Sequence, residues 1–280
     1  MSLIALKAKM ALWRKTTMKR PARKRLHTTR RDFLKSSSIA VVGLGKLAGN
    51  QTRPSNNERG KEMNDPLNVV IYLYNRMTVL DAIGPYEVLR CVPGARVRFV
   101  AKKAGLVQPD SGLQMLNAEY GIHDMDTADI LVVPGGDATG QLNDKEVLAW
   151  ILRLHDKSRW TTSVCTGSLI LGAAGLLKGL QATTYWNSMG YLKTFGAEPV
   201  SKRFVRQGKI ITAAGVSAGI DMALSLVALE RGEELAQAIQ LLIEYDPQPP
   251  FNTGSPGKAS PAIIERARKI LSAVYSQVQR

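Results

Sequence analysis

The chain has 280 residues, 45% of them apolar and 22% charged, and a formal charge of +15. So ordinary an apolar share excludes a wholly disordered chain, and with no run of about 18 apolar residues a multi-span membrane protein is excluded too. Two cysteines, Cys91 and Cys165, exclude a disulfide framework and a four-cysteine zinc site.

The charge is concentrated at one end. Residues 1–62 hold 16 Lys/Arg against 3 Asp/Glu, a net of +13, which leaves +2 for residues 63–280. The near-neutral body carries no footprint of a nucleic-acid surface. Within the basic leader, Thr29-Arg30-Arg31-Asp32-Phe33-Leu34-Lys35 precedes the short, weakly apolar stretch Ser36 to Gly45. A charged region before such a stretch is the layout of an export signal, and the arginine pair with Phe33 and Leu34 resembles the twin-arginine type. Residues 1–49 are therefore read as a leader for export to the periplasm, with no stable membrane insertion after processing. The competing reading is a basic tail that binds acidic surfaces, which leaves the chain cytoplasmic. Residues 50–66, polar and containing Pro54 and Pro66, read as a linker to a folded domain at 67–280.

In that domain, 67–74 is a β-branched and aromatic run and predicts a strand. A helix follows over 80–91, with Pro85 near its start. Residues 95–101 alternate as a second strand, and 113–118 suit a short strand or hairpin arm. Ile130-Leu131-Val132-Val133 is a buried strand that stops at Pro134-Gly135-Gly136. Residues 144–157 have helical spacing, 160–164 form a strand, and 167–177 a small-residue helix. Strand then helix are expected at 181–184 and 188–195. A strand pair is expected at 204–206 and 209–213, turning at Gln207-Gly208. Helices follow at 218–229, 233–243 and 261–278. Alternation of this kind implies βαβ units and a three-layer α/β/α sandwich around a mostly parallel sheet, the flavodoxin-like arrangement. Ligands in such folds sit beyond the carboxyl ends of the strands.

Three strand ends carry candidate chemistry. At Ser163-Val164-Cys165-Thr166-Gly167-Ser168 a strand runs into a cysteine and a Gly/Ser-rich helix begins at once. That is the sequence form of a nucleophile elbow, with cysteine in the serine's place. A thiol there is expected to feel the helix dipole and ionise more readily; the plain alternative is a buried structural cysteine. Pro134-Gly135-Gly136 lets backbone N–H groups approach a substrate, and with Thr166 is read as an anion hole; the alternative is an ordinary turn. Asp81 and Glu87 are candidates to exchange a proton with the thiol, against a capping role for Asp81. Only His27, His123 and His155 occur, none adjacent to the elbow, which speaks against a Cys–His hydrolase. No metal-ligand spacing or phosphate-binding loop appears, so no metal or cofactor is expected.

The stretch Cys165-Thr166-Gly167-Ser168-Leu169-Ile170-Leu171-Gly172-Ala173-Ala174-Gly175 resembles the elbow of the ThiJ/PfpI superfamily, which has a class I glutamine amidotransferase-like fold. Asp81 to Val88 and Pro134-Gly135-Gly136 match its other site segments. Gly215 to Asp221 and Glu244 to Phe251, followed by Gly254-Ser255-Pro256, resemble the isonitrile hydratase branch. By that resemblance Cys165 is the nucleophile, Asp81 the acid/base, Thr166 an assistant beside the cysteine, and Gly136 with Thr166 the source of backbone N–H groups. The implied reaction adds water to an isonitrile, giving an N-substituted formamide, and a thiolate with a nearby carboxylic acid are the groups it requires. Tyr185 stands where many relatives have histidine and is read as a pocket residue, which leaves open whether the reaction is altered. A homodimer and a small-molecule substrate are implied as well. Two other readings stand beside the enzyme: a non-catalytic small-molecule sensor of the kind found in AraC-type regulators, and a stress or carbonyl-repair protein with an oxidisable cysteine.

Overall fold

The computed structural model of the chain describes residues 65–110 and 115–277. The expected leader, its arginine pair and most of the linker lie outside these residues. Among them, eleven strands and six α-helices follow in order. The elements are β1 Leu67–Leu73, α1 Val79–Leu89, β2 Ala95–Ala101, β3 Gly105–Val107, β4 Leu116–Ala118, β5 Tyr120–Gly121 and β6 Ile130–Val133. Next come α2 Lys145–Lys157, β7 Trp160–Val164, α3 Gly167–Ala173, β8 Gln181–Ala182, a 3₁₀ helix Trp186–Phe195 and β9 Glu198–Pro199. The order closes with β10 Phe204–Gln207, β11 Ile210–Ala213, α4 Ala218–Arg231, α5 Glu233–Leu242, a 3₁₀ turn Pro256–Lys258 and α6 Pro261–Gln277.

Seven strands form the central sheet in the order β10-β11-β7-β6-β1-β2-β5. All neighbours are parallel except β10 and β11. β6 is buried at every position and β7 likewise, the mark of strands covered on both faces. The helix α1 packs against α4 on one face, while α3 packs against α2 and the first 3₁₀ helix on the other. The fold is the three-layer α/β/α sandwich with a mostly parallel sheet that the alternation implied. Strand order reverses between β1 and β6, so the crevice beyond their carboxyl ends is the natural ligand site.

The expected strands and helices form with a few differences. Pro85 lies well inside α1 rather than near its start. Its missing N–H leaves the carbonyl four residues back, that of Asp81, without its helical partner. The helix expected over 167–177 stops at Ala173; Gly175 takes a φ of 84° and the Leu176 N–H folds back to Leu171 O at 3.0 Å. The segment 188–195 is a 3₁₀ helix already under way at Trp186. Strands β3, β5 and β9, two or three residues each, are too short to leave a periodic signal.

Candidate active site

The crevice is built from three loops that leave β1, β6 and β7. The first two are stitched together. Tyr74 donates its hydroxyl to Pro134 O at 3.2 Å, Thr78 N–H donates to Gly135 O at 2.9 Å, and Asp137 N–H donates to Arg76 O at 2.9 Å. Close approach at Gly135 requires glycine: a Cβ there would lie 2.4 Å from Thr166 N and 2.8 Å from the Cys165 Cβ.

Cys165 sits at the elbow with a φ of 57°, left-handed backbone for a non-glycine residue. The strain persists because both of its peptide groups are held. Its N–H is shared between Ala213 O at 3.1 Å and Ala214 O at 3.0 Å. Its carbonyl accepts from the Thr184 hydroxyl at 2.9 Å and the Ser168 hydroxyl at 3.2 Å. Val216 is also left-handed, at 38°. The N–H groups of Thr166 and Val216 are aimed at the Cys165 sulfur and favour its ionised form.

Those donors do not win. Burial pushes the thiol well above its ordinary pKa, and the neighbouring Asp81 charge pushes the same way. The expected dipole-activated thiolate is therefore corrected: α3 is a single seven-residue stretch, and the desolvation of a thiol only 5% exposed outweighs it.

Asp81 lies in the first turn of α1 with no exposure at all. Its Oδ2 accepts the Gly135 N–H at 2.9 Å, and its Oδ1 is buried with no partner in hydrogen-bond geometry. Burial raises the carboxyl to a pKa of about 7, while the Gly135 N–H and the Cys165 thiol pull it back down and Asp110 adds to the rise. An acid raised to about 7 beside a thiol that stays neutral can exchange one proton with it.

Thr166 closes on the β6 loop in both directions. Its Oγ1 accepts the Gly136 N–H and donates to Gly136 O, each at 2.8 Å. The anion hole expected from Gly135 and Gly136 is corrected as well, because both N–H groups are engaged inside the protein, one on Asp81 and one on Thr166. The glycines serve close approach, and the donors that face the reacting atom belong to Thr166 and Val216. Glu87 falls outside the site. Six residues after Asp81 at 100° each, it lies about 120° around the helix, where it pairs with Arg90 at 2.7 Å. Tyr185 is half-buried beside the crevice; burial raises its hydroxyl pKa, and Cys165 is near enough to add to the rise.

Three contributors leave no signal in the side-chain pattern. Thr184, Ser168 and Val216 hold or face the elbow, and each stood inside a quoted stretch without a hydrogen-bonding role. Of the two described histidines, His123 pairs with Glu146 at 2.8 Å on the surface. His155 meets Thr161 at 2.9 Å, near the start of β7 and some four residues, about 13 Å, from the elbow. Neither serves Cys165. Among the described residues no group of His, Cys, Asp and Glu could hold a metal ion, and no helix is long and apolar enough to cross a membrane.

A cavity of about 420 Å³ opens beside the elbow, lined by Arg76, Gly136, Asp137, Thr166, Tyr185 and Leu271 among others. Leu271 comes from α6, which is anchored by Arg268: its guanidinium lies 5.6 Å over the Trp186 ring and donates to Asn187 Oδ1 at 3.1 Å. A second cavity of about 520 Å³ lies on the other side of Tyr185, against Thr184 and Val216.

Comparison with known proteins places these features in context. Residues 67–229 match the DJ-1/PfpI family. The chain is 43% identical over 204 residues to an isonitrile hydratase of Pseudomonas putida, covering 72% of this chain and 89% of that protein. It is 27% identical over 167 residues to the HTH-type transcriptional regulator CdhR of Pseudomonas aeruginosa, covering 58% of this chain and 49% of the regulator. Among solved structures, a ThiJ/PfpI family protein from Pseudomonas syringae superposes with a TM-score of 0.71 at 36% identity, over 83% of this chain and 99% of the other.

Proposed function

The chain belongs to the DJ-1/PfpI family, and from that premise we propose that it is a cysteine-dependent hydratase that adds water to an isonitrile. The observation that carries this reading is the buried pair of Cys165 and Asp81, with one carboxyl oxygen unpartnered and a pKa of about 7 beside a neutral thiol. Asp81 as carboxylate takes the thiol proton when substrate displaces water. The sulfur bonds to the isonitrile carbon, and Asp81 returns the proton to that carbon, giving R–N=CH–S–Cys165. Water then adds across the C=N bond, its proton going to nitrogen and its hydroxyl to carbon, with Asp81 as base. Collapse forms the C=O bond, breaks the C–S bond and restores the thiol. The sum is R–NC plus water giving R–NH–CHO. Thr166 and Val216 N–H groups hold the sulfur while it carries charge.

Purified wild type is expected to convert cyclohexyl isonitrile to N-cyclohexylformamide, and Cys165→Ala to lose this. Turnover by Cys165→Ala, or none by wild type across a panel of isonitriles, contradicts the reading. We propose also that the leader directs export, tested by fusing residues 18–62 to a reporter; export that survives Arg30→Lys with Arg31→Lys contradicts it.

A further inference from the structure

The reaction above leaves the two charged residues of the cavity, Arg76 and Asp137, unused. Arg76 follows β1 at a left-handed φ of 70°. Its backbone is pinned on both sides, by its N–H on Gln108 O at 2.7 Å and by its carbonyl under the Asp137 N–H at 2.9 Å. Arg76 lines the same cavity as Thr166 and Gly136. Nη2 meets Asp137 Oδ2 at 2.8 Å, and the side chain remains 32% exposed. Nε is buried with no partner.

Donors and acceptors in this pair do not balance. Asp137 uses one acceptor site on each oxygen, Oδ2 on Arg76 and Oδ1 for the Thr139 N–H at 3.2 Å, and keeps about two more. A guanidinium carries five N–H donors in one plane, and Asp137 occupies only one edge of it. The pair is neutral in sum, and the surplus on this wall is of hydrogen-bond donors on the guanidinium. A purely apolar ligand filling the cavity would desolvate them with nothing in return. A carboxylate would meet them in the two-bond geometry that suits a guanidinium. Asp137 beside it disfavours a dianion and suits a single negative charge.

We propose that Arg76 selects substrates by a carboxylate, so that the isonitriles processed here are isonitrile-bearing carboxylic acids. The carboxylate sits on Arg76 and the isonitrile carbon on Cys165. Assignment of the reacting group rests on the hydratase reading; recognition of the carboxylate does not.

Two measurements separate these. The first is turnover of isocyanoacetate against its methyl ester. Wild type is expected to favour the acid, and Arg76→Gln to lower the acid-to-ester ratio of kcat/KM by about ten- to a hundredfold, as for a charged hydrogen bond. Equal ratios in the two proteins overturn the proposal. The second needs no chemistry: calorimetric binding to Cys165→Ala of N-formylglycine, the formamide that hydration of isocyanoacetate would give, against N-ethylformamide. N-formylglycine is expected to bind more tightly, and to lose that advantage when Arg76→Gln is added. Asp137→Asn, which keeps an acceptor for Thr139 but removes the competing charge, is expected to tighten N-formylglycine binding severalfold, a gain that misfolding cannot imitate. Equal binding of the two formamides, or weaker binding in Asp137→Asn, overturns the proposal even if isonitriles are hydrated. Selective carboxylate binding with no isonitrile turnover upholds Arg76 and overturns the hydratase.

Discussion

Replacing Asp81 by Asn is expected to remove a pH-dependent loss of stability and to inactivate the protein at once. Asp81 is fully buried and its carboxyl is raised from 3.8 to about 7. A raised acid favours the folded state in its protonated form. Below pH 3.8 it is protonated whether the chain is folded or not, and no penalty applies. As the pH rises towards 7 the unfolded chain ionises first, so stability falls by about 1.4 kcal/mol per unit and then levels off. Between pH 5.5 and 8.5 the wild type should lose about 2 kcal/mol from this group. Asn has no proton to exchange and its amide oxygen can still accept the Gly135 N–H. Urea unfolding of both proteins at the two pH values reads the effect, since the other titrating groups cancel in the difference. The advantage of Asp81→Asn should grow by about 2 kcal/mol from pH 5.5 to 8.5, while kcat falls at least about a hundredfold. Stability differences that stay constant across that interval would refute the reasoning, because they would mean that Asp81 ionises as freely in the folded protein as outside it.

Other outcomes follow from the same geometry. The active form carries Asp81 as carboxylate, so kcat/KM should rise about tenfold per unit below pH 7 and level above it; a flat profile from pH 5.5 to 8.5 argues against Asp81 as the base. Thr166→Ala leaves the Gly136 N–H and carbonyl without their 2.8 Å partner and should destabilise by about 2 kcal/mol, with Thr166→Ser restoring both stability and turnover. Gly135→Ala drives a Cβ to 2.4 Å from Thr166 N, whereas a Cβ at Gly140 meets nothing within 4 Å. The first should cost about 2–4 kcal/mol on thermal unfolding and the second almost nothing.

The architecture was legible because burial on both faces writes itself as continuous apolar runs, such as residues 130–133, and because strands and helices alternate with short loops. The elbow was legible for a similar reason: a strand running into Cys165 and straight out into Gly167 and Ser168 admits few geometries. What escaped was everything set by distances between loops. The phase of α1 turns Glu87 away from Asp81, and a pattern of acidic residues near one another in sequence does not carry phase. The N–H groups of Gly135 and Gly136 are engaged by Asp81 and Thr166, partners 54 and 30 residues away. The ionisation of Cys165 was read from a local dipole, but its direction is decided by how completely the folded chain excludes water. Val216 joined the site through its backbone, which no side-chain pattern announces.

The proposed reaction passes through a covalent bond between Cys165 and the isonitrile carbon. Wild type mixed with a slowly turned-over isonitrile, quenched in acid within seconds and digested, should show a peptide containing Cys165 heavier by the whole mass of the isonitrile, decaying as formamide accumulates. Formamide appearing with Cys165 unmodified throughout, or with the adduct on Cys91 instead, would contradict it.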